Sequence, residues 1–170
     1  IMLQYELRPL SVKDAEVLYP FMQSIPKEEN GFMNGASGLT WEEFAAWLVK
    51  QEANARKTEI EDGYRVPQGL WFLFVDGKPV GMAKLRYFLT DALRQGGGHL
   101  GYAVAPAYRG HGYAAMMVEA IKPVAAEKGI DELLVTVHND NPASIKTALK
   151  CGGRIERISE DRHCIWIPCK

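Results

Sequence analysis

The residues of this sequence best suited to chemistry lie in the middle of the chain, where a short apolar run, a glycine-containing turn and an alanine-rich stretch follow one another. The run at 99–104 is bounded by glycines and by Pro106, which is typical of a strand, and positions 113–126 are rich in helix formers. The turn between them reads Arg109, Gly110, His111, Gly112, Tyr113 and Ala114. Backbone N–H groups at a helix start are unpaired and carry partial positive charge, and glycine lets a ligand approach the backbone closely. The pattern therefore indicates a site for a phosphate or pyrophosphate.

Other interpretations fit parts of this turn. A tight turn can need glycine at positive φ with no ligand at all. A nucleoside-triphosphate loop is excluded because no Lys-Ser or Lys-Thr pair follows Gly112. The dinucleotide fingerprint G-x-G-x-x-A is satisfied by Gly110, Gly112 and Ala115. The acidic residue that this fingerprint expects at the end of the next strand is poorly placed, so a dinucleotide site is the runner-up.

Length and composition indicate a single domain over residues 1–170 with the make-up of an ordinary globular protein. The net charge of −1, with no basic cluster, argues against a nucleic-acid partner. An odd number of cysteines without metal-ligand spacing indicates reduced thiols and a cytoplasmic location, and the scattered histidines predict no metal site. No apolar run is long enough to cross a membrane and no signal peptide is recognisable, so no membrane partner is expected.

Local signals predict where several elements begin and end. Capping boxes at Ser11–Asp14 and Thr40–Glu43 open two helices, the first of which runs to about Gln23. Asp76-Gly77 is a strong hairpin signal. Strands are predicted at 5–10, 69–75, 79–88, 99–104, 133–137, 154–158 and 163–167, and irregular segments at 26–38, 56–68 and 90–98.

The second half of the chain predicts a β-α-β unit. Its helix, which follows Gly112, ends at Gly129 and has Pro123 inside it, where a kink is expected. Asn141 and the proline after it open a last helix that ends before Gly152. The order of elements predicts an α/β protein with one mixed, mostly antiparallel central sheet and helices on both faces.

This pattern resembles the GCN5-related N-acetyltransferase (GNAT) superfamily over most of the chain. The family signature [R/Q]-x-x-G-x-[G/A] between a strand and a helix is matched by residues 109–114. The family's Asn at the start of the next helix is matched by Asn141, and a glycine stop after that helix by Gly152 and Gly153. Segments 26–32 and 97–102 also look like a subgroup that carries P-x-E-x-G-F and G-G-H-[I/L]-G-Y.

The resemblance implies a GNAT-like acyl-CoA N-acyltransferase fold that binds acetyl-CoA. The pyrophosphate would lie on the N–H groups of residues 110–114, with Arg109 and His111 beside it. The pantetheine arm would pair with the strand edge at Tyr102, Ala103 and Val104, which requires this strand to splay from the one at 133–137. A main-chain N–H of the same edge would stabilise the oxyanion. The resemblance also places Asn141 on the pantetheine, although a plain helix cap is the alternative.

The chain departs from the family at position 148, which is Ala where many GNAT proteins carry a Tyr that protonates the leaving thiolate. A free thiol has a pKa of about 8.5, so the missing acid is a modest handicap near neutral pH. Tyr102 and Cys151 are the conceivable replacements, and a core role is the alternative for both.

A general base must take the proton from the acceptor ammonium, and His99, near the expected splay, is the best candidate from the sequence. A structural histidine is the alternative. For the acceptor itself, the loop residues Glu28, Glu29, Asn30 and Asn34 are candidates to bind a cationic amine, with a solvated loop as the alternative. Arg86 is instead a candidate to bind a substrate carboxylate.

Together these features predict an acetyl-CoA-dependent N-acetyltransferase that moves the acetyl group to a primary amine of a small molecule by direct attack in a ternary complex. A small molecule is expected because the sequence indicates neither a basic patch nor a peptide-binding groove. A non-catalytic module that binds coenzyme A is the first alternative, and a dinucleotide-dependent oxidoreductase the second. A homodimer stays open.

Overall fold

The computed structural model describes residues 4–170. Its strands are β1 (Tyr5–Pro9), β2 (Glu28–Glu29), β3 (Phe32–Met33), β4 (Gln68–Val75), β5 (Lys78–Arg86), β6 (Leu100–Val104), β7 (Glu132–His138), β8 (Arg154–Ile158) and β9 (Arg162–Pro168). Its helices are α1 (Ala15–Ser24), α2 (Trp41–Ala55), α3 (Asp91–Gln95), α4 (Tyr113–Glu127) and α5 (Pro142–Lys150), with 3-10 turns at Val12–Asp14 and Pro106–Tyr108. The predicted α/β class is confirmed.

The first sheet has the antiparallel order β1-β4-β5-β6. The predicted hairpin joins β4 to β5 through Asp76 and Gly77, whose φ angles of 49° and 80° are those of a two-residue turn with both central residues left-handed. This turn sets the register of β4 against β5. On its other side β5 pairs with β6, where Lys84 lies opposite Gly101. The hairpin prediction is confirmed.

The second sheet has the antiparallel order β7-β9-β8, and β6 and β7 do not pair as neighbours in a ladder. The two strands are joined only at one end, where the N–H of His99 donates to the carbonyl of Leu134 over 2.9 Å. The single sheet expected from the sequence is thus divided in two at the predicted splay. One core lies between the sheets and α4 and α5, and a second lies under α1 and α2, so helices cover both faces as predicted.

Capping explains where the helices begin. The capping box of α2 is confirmed, since the Thr40 hydroxyl accepts from the Glu43 N–H and the Glu43 carboxylate accepts from the Thr40 N–H. The box predicted at Ser11 is wrong in part. Ser11 caps a 3-10 turn through the Lys13 N–H, and Asp14 accepts from Arg8 instead of closing the box. The α-helix therefore begins at Ala15.

Two segments predicted as loops contain short elements. Within 26–38, Asn30 and Gly31 adopt positive φ and join β2 to β3 as a small hairpin. Within 90–98, Thr90 caps the five-residue helix α3, which is anchored by the buried side chain of Leu93. Neither element is long enough to show hydrophobic periodicity, which is why the sequence pattern did not indicate them.

Helix α4 ends as predicted. Gly129 has a φ of 82°, and the N–H of Ile130 reaches back to the carbonyl of Ala125 over 3.0 Å, as in a Schellman cap. Pro123 lies inside the helix, which continues to Glu127. The kink expected at this proline stays a prediction.

Among residues 4–170, no helix combines the length and apolar character needed to cross a membrane. The same part of the chain contains no group of three or more His, Cys, Asp or Glu side chains arranged to bind a metal ion. All three cysteines are buried and free of disulfide bonds.

Candidate active site

A cleft of about 550 Å³ opens where β6 and β7 separate. Its walls come from β6, β7, the turn before α4, the start of α5 and the β2–β3 hairpin. Of the residues predicted for the site, those that line it are Glu29, Asn30, Arg86, Tyr102, Ala103, Val104, Arg109, Gly110, Gly112, Tyr113, Ala114 and Asn141. Glu28, Asn34, His99 and His111 are not in the lining.

The main-chain edge of β6 faces this cleft. In an antiparallel ladder, alternate residues bond to the neighbouring strand, and the bonds of Ala105 to Val80 and of Arg86 to His99 show that the odd-numbered residues of β6 face β5. The N–H and carbonyl groups of Tyr102 therefore point into the gap, as do those of Val104. Of the three residues predicted to pair with an extended ligand, only Tyr102 and Val104 direct main-chain groups into the cleft. Ala103 also lines the cleft, but its main-chain groups face β5.

The facing edge of β7 is arranged in the same way. Its odd-numbered residues bond to β9, as the flanking bonds of Cys169 to Asp131 and of Asn139 to Asp161 show. The main chains of Thr136 and the other even-numbered residues consequently face β6. The main-chain edges of β6 and β7 thus face each other across the open space of the cleft.

The turn before α4 leaves room for an anion. Gly110 and Gly112 have φ angles of 85° and 77°, and a Cβ on either would meet no atom within 4 Å. Gly112 is the N-cap and supplies no side-chain hydrogen bond, so the first N–H groups of α4 stay available. Because the positive end of the helix dipole is here as well, the turn suits a phosphate group. His111 is exposed and stacks on the ring of Tyr113 at 5.4 Å, outside the lining.

Arg109 connects this turn to the β2–β3 hairpin. Its Nε donates to the carbonyl of Val104 over 3.1 Å, and its guanidinium forms an ion pair with the carboxylate of Glu29. The Asn34 amide is buried and donates to two carbonyls near the end of α1. Neither Glu29 nor Asn34 is therefore free to bind a cationic amine in this arrangement.

The other predicted substrate residues lie in different places. The carboxylate of Glu28 accepts from the N–H of Gly31 over 2.7 Å and stabilises the hairpin turn. Asn30 is exposed at that turn and lines the cleft. Arg86 lines the cleft and donates to the carbonyl of Gly97 over 3.0 Å. Of these three residues, Asn30 and Arg86 line the cleft and Glu28 does not.

Asn141 lies at the start of α5, beside the cleft. Its side chain accepts from the N–H of Ser144 over 3.4 Å and caps α5, and it lines the cleft at the same time. The cap predicted from the sequence is confirmed, and it leaves the amide group of the side chain beside the open space.

The hydroxyl of Tyr102 lies 2.8 Å from the hydroxyl of Ser144 on α5. Burial raises the pKa of Tyr102 to about 12, so the phenol stays protonated at neutral pH. Ala148, one turn further along α5, is fully buried. Cys151 is buried outside the cleft, and burial raises the pKa of its thiol to about 11. Of the two acids considered from the sequence, only Tyr102 is in the cleft.

His99 has a position that favours a structural role over the predicted role of general base. It is 7% exposed, and its Nδ1 accepts from the N–H of Leu134 over 2.9 Å. Burial, with a smaller contribution from the charge of nearby Arg94, lowers the pKa of His99 to about 4. The ring is therefore neutral at pH 7, but its Nδ1 already accepts the hydrogen bond from Leu134 and is not available to accept a proton from a substrate.

The structure brings three basic or titratable residues into the cleft that the sequence pattern did not indicate. Lys84, His138 and Arg162 all line it, from β5, β7 and β9. His138 lies against the β2–β3 hairpin, where a Cβ on Gly31 would be 2.9 Å from its Nε2. Lys84 and His138 each follow or precede a buried strand residue, and such alternation is the signal in the sequence that could have indicated them. Arg162 begins β9 next to the half-buried His163 and has no such signal.

The sequence itself decides the family. A family model described as an acetyltransferase (GNAT) domain matches residues 4–154. The chain belongs to the GNAT family of acetyltransferases. No curated protein sequence matches it significantly.

Solved GNAT structures have the same fold. A GNAT-family acetyltransferase from Streptococcus pneumoniae is 20% identical, with a TM-score of 0.65 over 97% of this chain and 99% of that one. A spermidine N-acetyltransferase chimera from Vibrio cholerae and hSSAT is 14% identical, with a TM-score of 0.64 over 98% of this chain and 96% of that one. The microcin C7 self-immunity acetyltransferase, in complex with acetyl-CoA and AMP, is 15% identical, with a TM-score of 0.65 over 97% and 92%.

Membership of the GNAT family confirms the resemblance seen in the sequence and, with it, the fold class and acetyl-CoA as the acetyl donor. The dinucleotide oxidoreductase that the glycine pattern left open is excluded by the same match. The solved structures share the fold at low identity while their described substrates differ. Fold likeness therefore does not identify the acceptor.

Proposed function

We propose that this protein transfers the acetyl group of acetyl-CoA to the primary amine of a small molecule, with both substrates bound together in the cleft. The proposal rests on one observation: two sets of N–H donors that have no hydrogen-bond partner among residues 4–170 line the same cleft. One group is the edge of β6 at Tyr102 and Val104, and the other is the uncapped start of α4. A strand edge suits an extended amide chain and a helix start suits a pyrophosphate, and acetyl-CoA contains both.

The donor site fits this chain's own residues. Gly110 and Gly112 leave open space where the diphosphate group would lie, and Asn141 presents its side chain to the same cleft. Acetyl-CoA supplies an acetyl group activated as a thioester. The N–H groups of Tyr102 and Val104 are the donors placed to stabilise negative charge on its carbonyl oxygen.

Tyr102 is proposed as the hydrogen-bond donor to the departing thiolate. The phenol lines the cleft and is oriented by Ser144. Because its pKa of about 12 lies above that of a thiol, Tyr102 stabilises the thiolate by a hydrogen bond more readily than by giving up its proton.

The proton of the acceptor ammonium must pass to a base, and two histidines are candidates. His99 is the one predicted from the sequence, but its Nδ1 bonds to the backbone of Leu134. His138 lines the cleft, and an imidazole is the commonest general base in enzymes. We therefore propose His138 as the base, reached directly or through a water molecule.

A thiol-release assay with acetyl-CoA and a panel of small amines tests this function, with mass spectrometry to identify the acetylated product. The expected result is amine-dependent release of one thiol for each N-acetylated product. The His138→Asn variant should lower kcat at least 10-fold, since positioned acid–base groups typically contribute about 100-fold or more. His111→Asn, whose side chain is exposed outside the cleft, is the matched control and should leave kcat unchanged at saturating acetyl-CoA.

A module that binds coenzyme A without turnover is the second candidate. The observation that favours it is the buried alanine at position 148, where many GNAT proteins place a tyrosine. Tight binding of acetyl-CoA by calorimetry, with no thiol release on any amine, would support the module and contradict the enzyme.

A further inference from the structure

The end of the cleft away from the helix α4 carries an excess of positive charge. Lys84, Arg86 and Arg162 all line it. Arg86 lies beside the backbone of Gly97, to whose carbonyl it donates, and a Cβ on the preceding Gly96 would be 2.5 Å from the Nη1 of Arg162. Two strands, β5 and β9, thus bring three cations to one cavity.

These cations have few anionic partners. Among residues 4–170, neither Lys84 nor Arg86 forms an ion pair with a carboxylate. Glu29 is the acidic residue of the lining, and Arg109 binds it. Arg162 pairs through Nε with the exposed carboxylate of Asp161, which leaves the rest of its guanidinium available.

Lys84 and Arg86 are also partly removed from water. The ammonium of Lys84 donates to the carbonyl of Met33 and lies over the ring of Phe32 at 4.6 Å from its centroid. Burial and the charge of Arg86 lower the pKa of Lys84 to about 8. Half-buried like charges that lie near each other destabilise a protein unless an anion offsets them, so their presence in a cavity indicates a ligand.

The position of this cluster separates it from the diphosphate site. The backbone N–H of Arg86 donates to the carbonyl of His99, the residue before β6. The turn at 110–112 lies beyond the other end of that strand. Five residues of extended chain cover about 16 Å. The cluster therefore lies where the acceptor would approach, beyond the part of the cleft that faces the turn.

We propose that the acceptor amine carries an oxyanion, either a carboxylate or a phosphate, which Arg86 binds together with Lys84 and Arg162. A guanidinium offers paired N–H donors that match both kinds of oxyanion. The inference rests on the proposed acetyltransferase function and names the substrate class of its acceptor site. Of the two expectations from the sequence, it keeps Arg86 as the residue that binds a substrate oxyanion and sets aside the binding of a cationic amine by the loop carboxylates.

A substrate panel with matched pairs tests the proposal. Amino acids and aminoalkyl phosphates are compared with the corresponding amides and amino alcohols, which lack the anion, and with alkyl diamines. The anionic members are expected to have kcat/KM values about 10- to 100-fold higher than their neutral partners, the range of a hydrogen bond to a charged group. A preference for carboxylates or for phosphates identifies which oxyanion the site takes.

Arg86→Gln should reduce that preference to within about threefold, and Arg86→Lys should retain part of it because the charge stays while the paired donors are lost. Lys84→Met, which removes the charge but keeps a long unbranched side chain, is a second variant should the first fold poorly. Arg157→Gln is the matched control, since Arg157 is a neighbouring cation outside this cleft. Neutral amines or diamines that are acetylated as well as the anionic ones would overturn the proposal and leave the acetyltransferase intact.

A binding measurement separates failure of the inference from failure of the function. N-acetyl amino acids and their amides, as product analogues, are titrated into the whole protein with coenzyme A present and followed by NMR or thermal shift. One outcome would support the anion site and contradict the acetyltransferase function. In that outcome no amine releases thiol, N-acetyl amino acids bind at least 10-fold better than their amides, and Arg86→Gln removes the difference. Equal binding of acids and amides would overturn the anion site.

Discussion

The imidazole of His99 accepts a hydrogen bond from the backbone N–H of Leu134, with 2.9 Å between its Nδ1 and that nitrogen. The N–H of His99 donates to the carbonyl of the same residue. These two bonds join the sheets at the point where β6 and β7 begin to separate. A protonated imidazole cannot accept from an N–H group, so this junction requires neutral histidine.

Acid should therefore destabilise the fold through His99. In the unfolded chain its pKa has the ordinary value of about 6.5, and in the folded protein burial lowers it to about 4. Between these values the unfolded state binds the proton and the folded state does not, so stability falls as the pH drops from 6.5 to 4 and levels off below. The size of this contribution is about 3 kcal/mol.

Urea unfolding at several pH values between 4 and 7 checks this prediction. His99→Asn keeps an acceptor near Nδ1 and should remove most of the pH dependence in that window, at the cost of some stability at pH 7. His111→Asn, at an exposed position, should behave as the wild type does. A His99→Asn variant that keeps the full wild-type slope would show that other groups cause the acid sensitivity.

The two ends of α4 offer a matched test of the diphosphate site. Gly112 and Gly129 have φ angles of 77° and 82°, and a Cβ on either would meet no atom within 4 Å. Alanine at either position should therefore destabilise the protein by a similar amount, about 1–2 kcal/mol for a left-handed residue. Only Gly112→Ala should also weaken acetyl-CoA binding, by about 10-fold, as measured by calorimetry. Equal affinities in the two variants would count against the proposed position of the diphosphate.

Asn141 combines a cap with a contact to the cleft, and two substitutions separate these roles. Asn141→Ala should lose about 1 kcal/mol of stability, the usual contribution of an N-cap, and should raise the KM for acetyl-CoA several-fold. Asn141→Ser keeps a capping oxygen and should retain the stability while the KM still rises. If Asn141→Ser has the wild-type KM, the residue acts only as a helix cap.

Tyr102 and Ser144 provide a test of the proposed leaving-group contact. Tyr102→Phe removes the hydroxyl and should lower kcat by roughly 10-fold, less than a full general acid would contribute, because a phenol with a pKa of about 12 donates a hydrogen bond rather than a proton. The affinity for acetyl-CoA should change by less than about twofold. Ser144→Ala should have a smaller effect, since the Tyr102 hydroxyl also contacts the Ser144 carbonyl at 3.4 Å. A Tyr102→Phe enzyme with wild-type kcat would exclude the tyrosine from the reaction.

Much of the local structure could be predicted from short stretches of sequence. The turn at Asp76-Gly77, the capping box of α2, the glycine stop of α4 and the cap at Asn141 each depend on a few adjacent residues. Their hydrogen bonds and φ angles form within one turn of chain, so residue type is enough to indicate them. The glycine turn before α4 belongs to the same group, since a strand, glycines and a helix start are consecutive there.

The side-chain environment of the cleft could not be predicted in this way. His99 is a plausible base from its residue type, and only the approach of β7 shows that its Nδ1 is used. From the sequence, Lys84 is one polar residue of a strand. The register of β5 and β6 places it opposite Gly101, and the β2–β3 hairpin places the ring of Phe32 against its ammonium. Strand register, twist and hairpin packing decide such contacts, and each joins positions far apart in the chain.

By itself, the sequence determined the family, the order of the elements and the N–H donors of the turn at 109–114, because these follow from backbone conformations that local residues impose. Only the tertiary structure decided which side chains share the cleft. It placed His99 at the junction between two sheets and brought Lys84, Arg86 and Arg162 into the same cleft. Burial and charge depend on what surrounds a side chain, and those surroundings exist only once distant strands have packed.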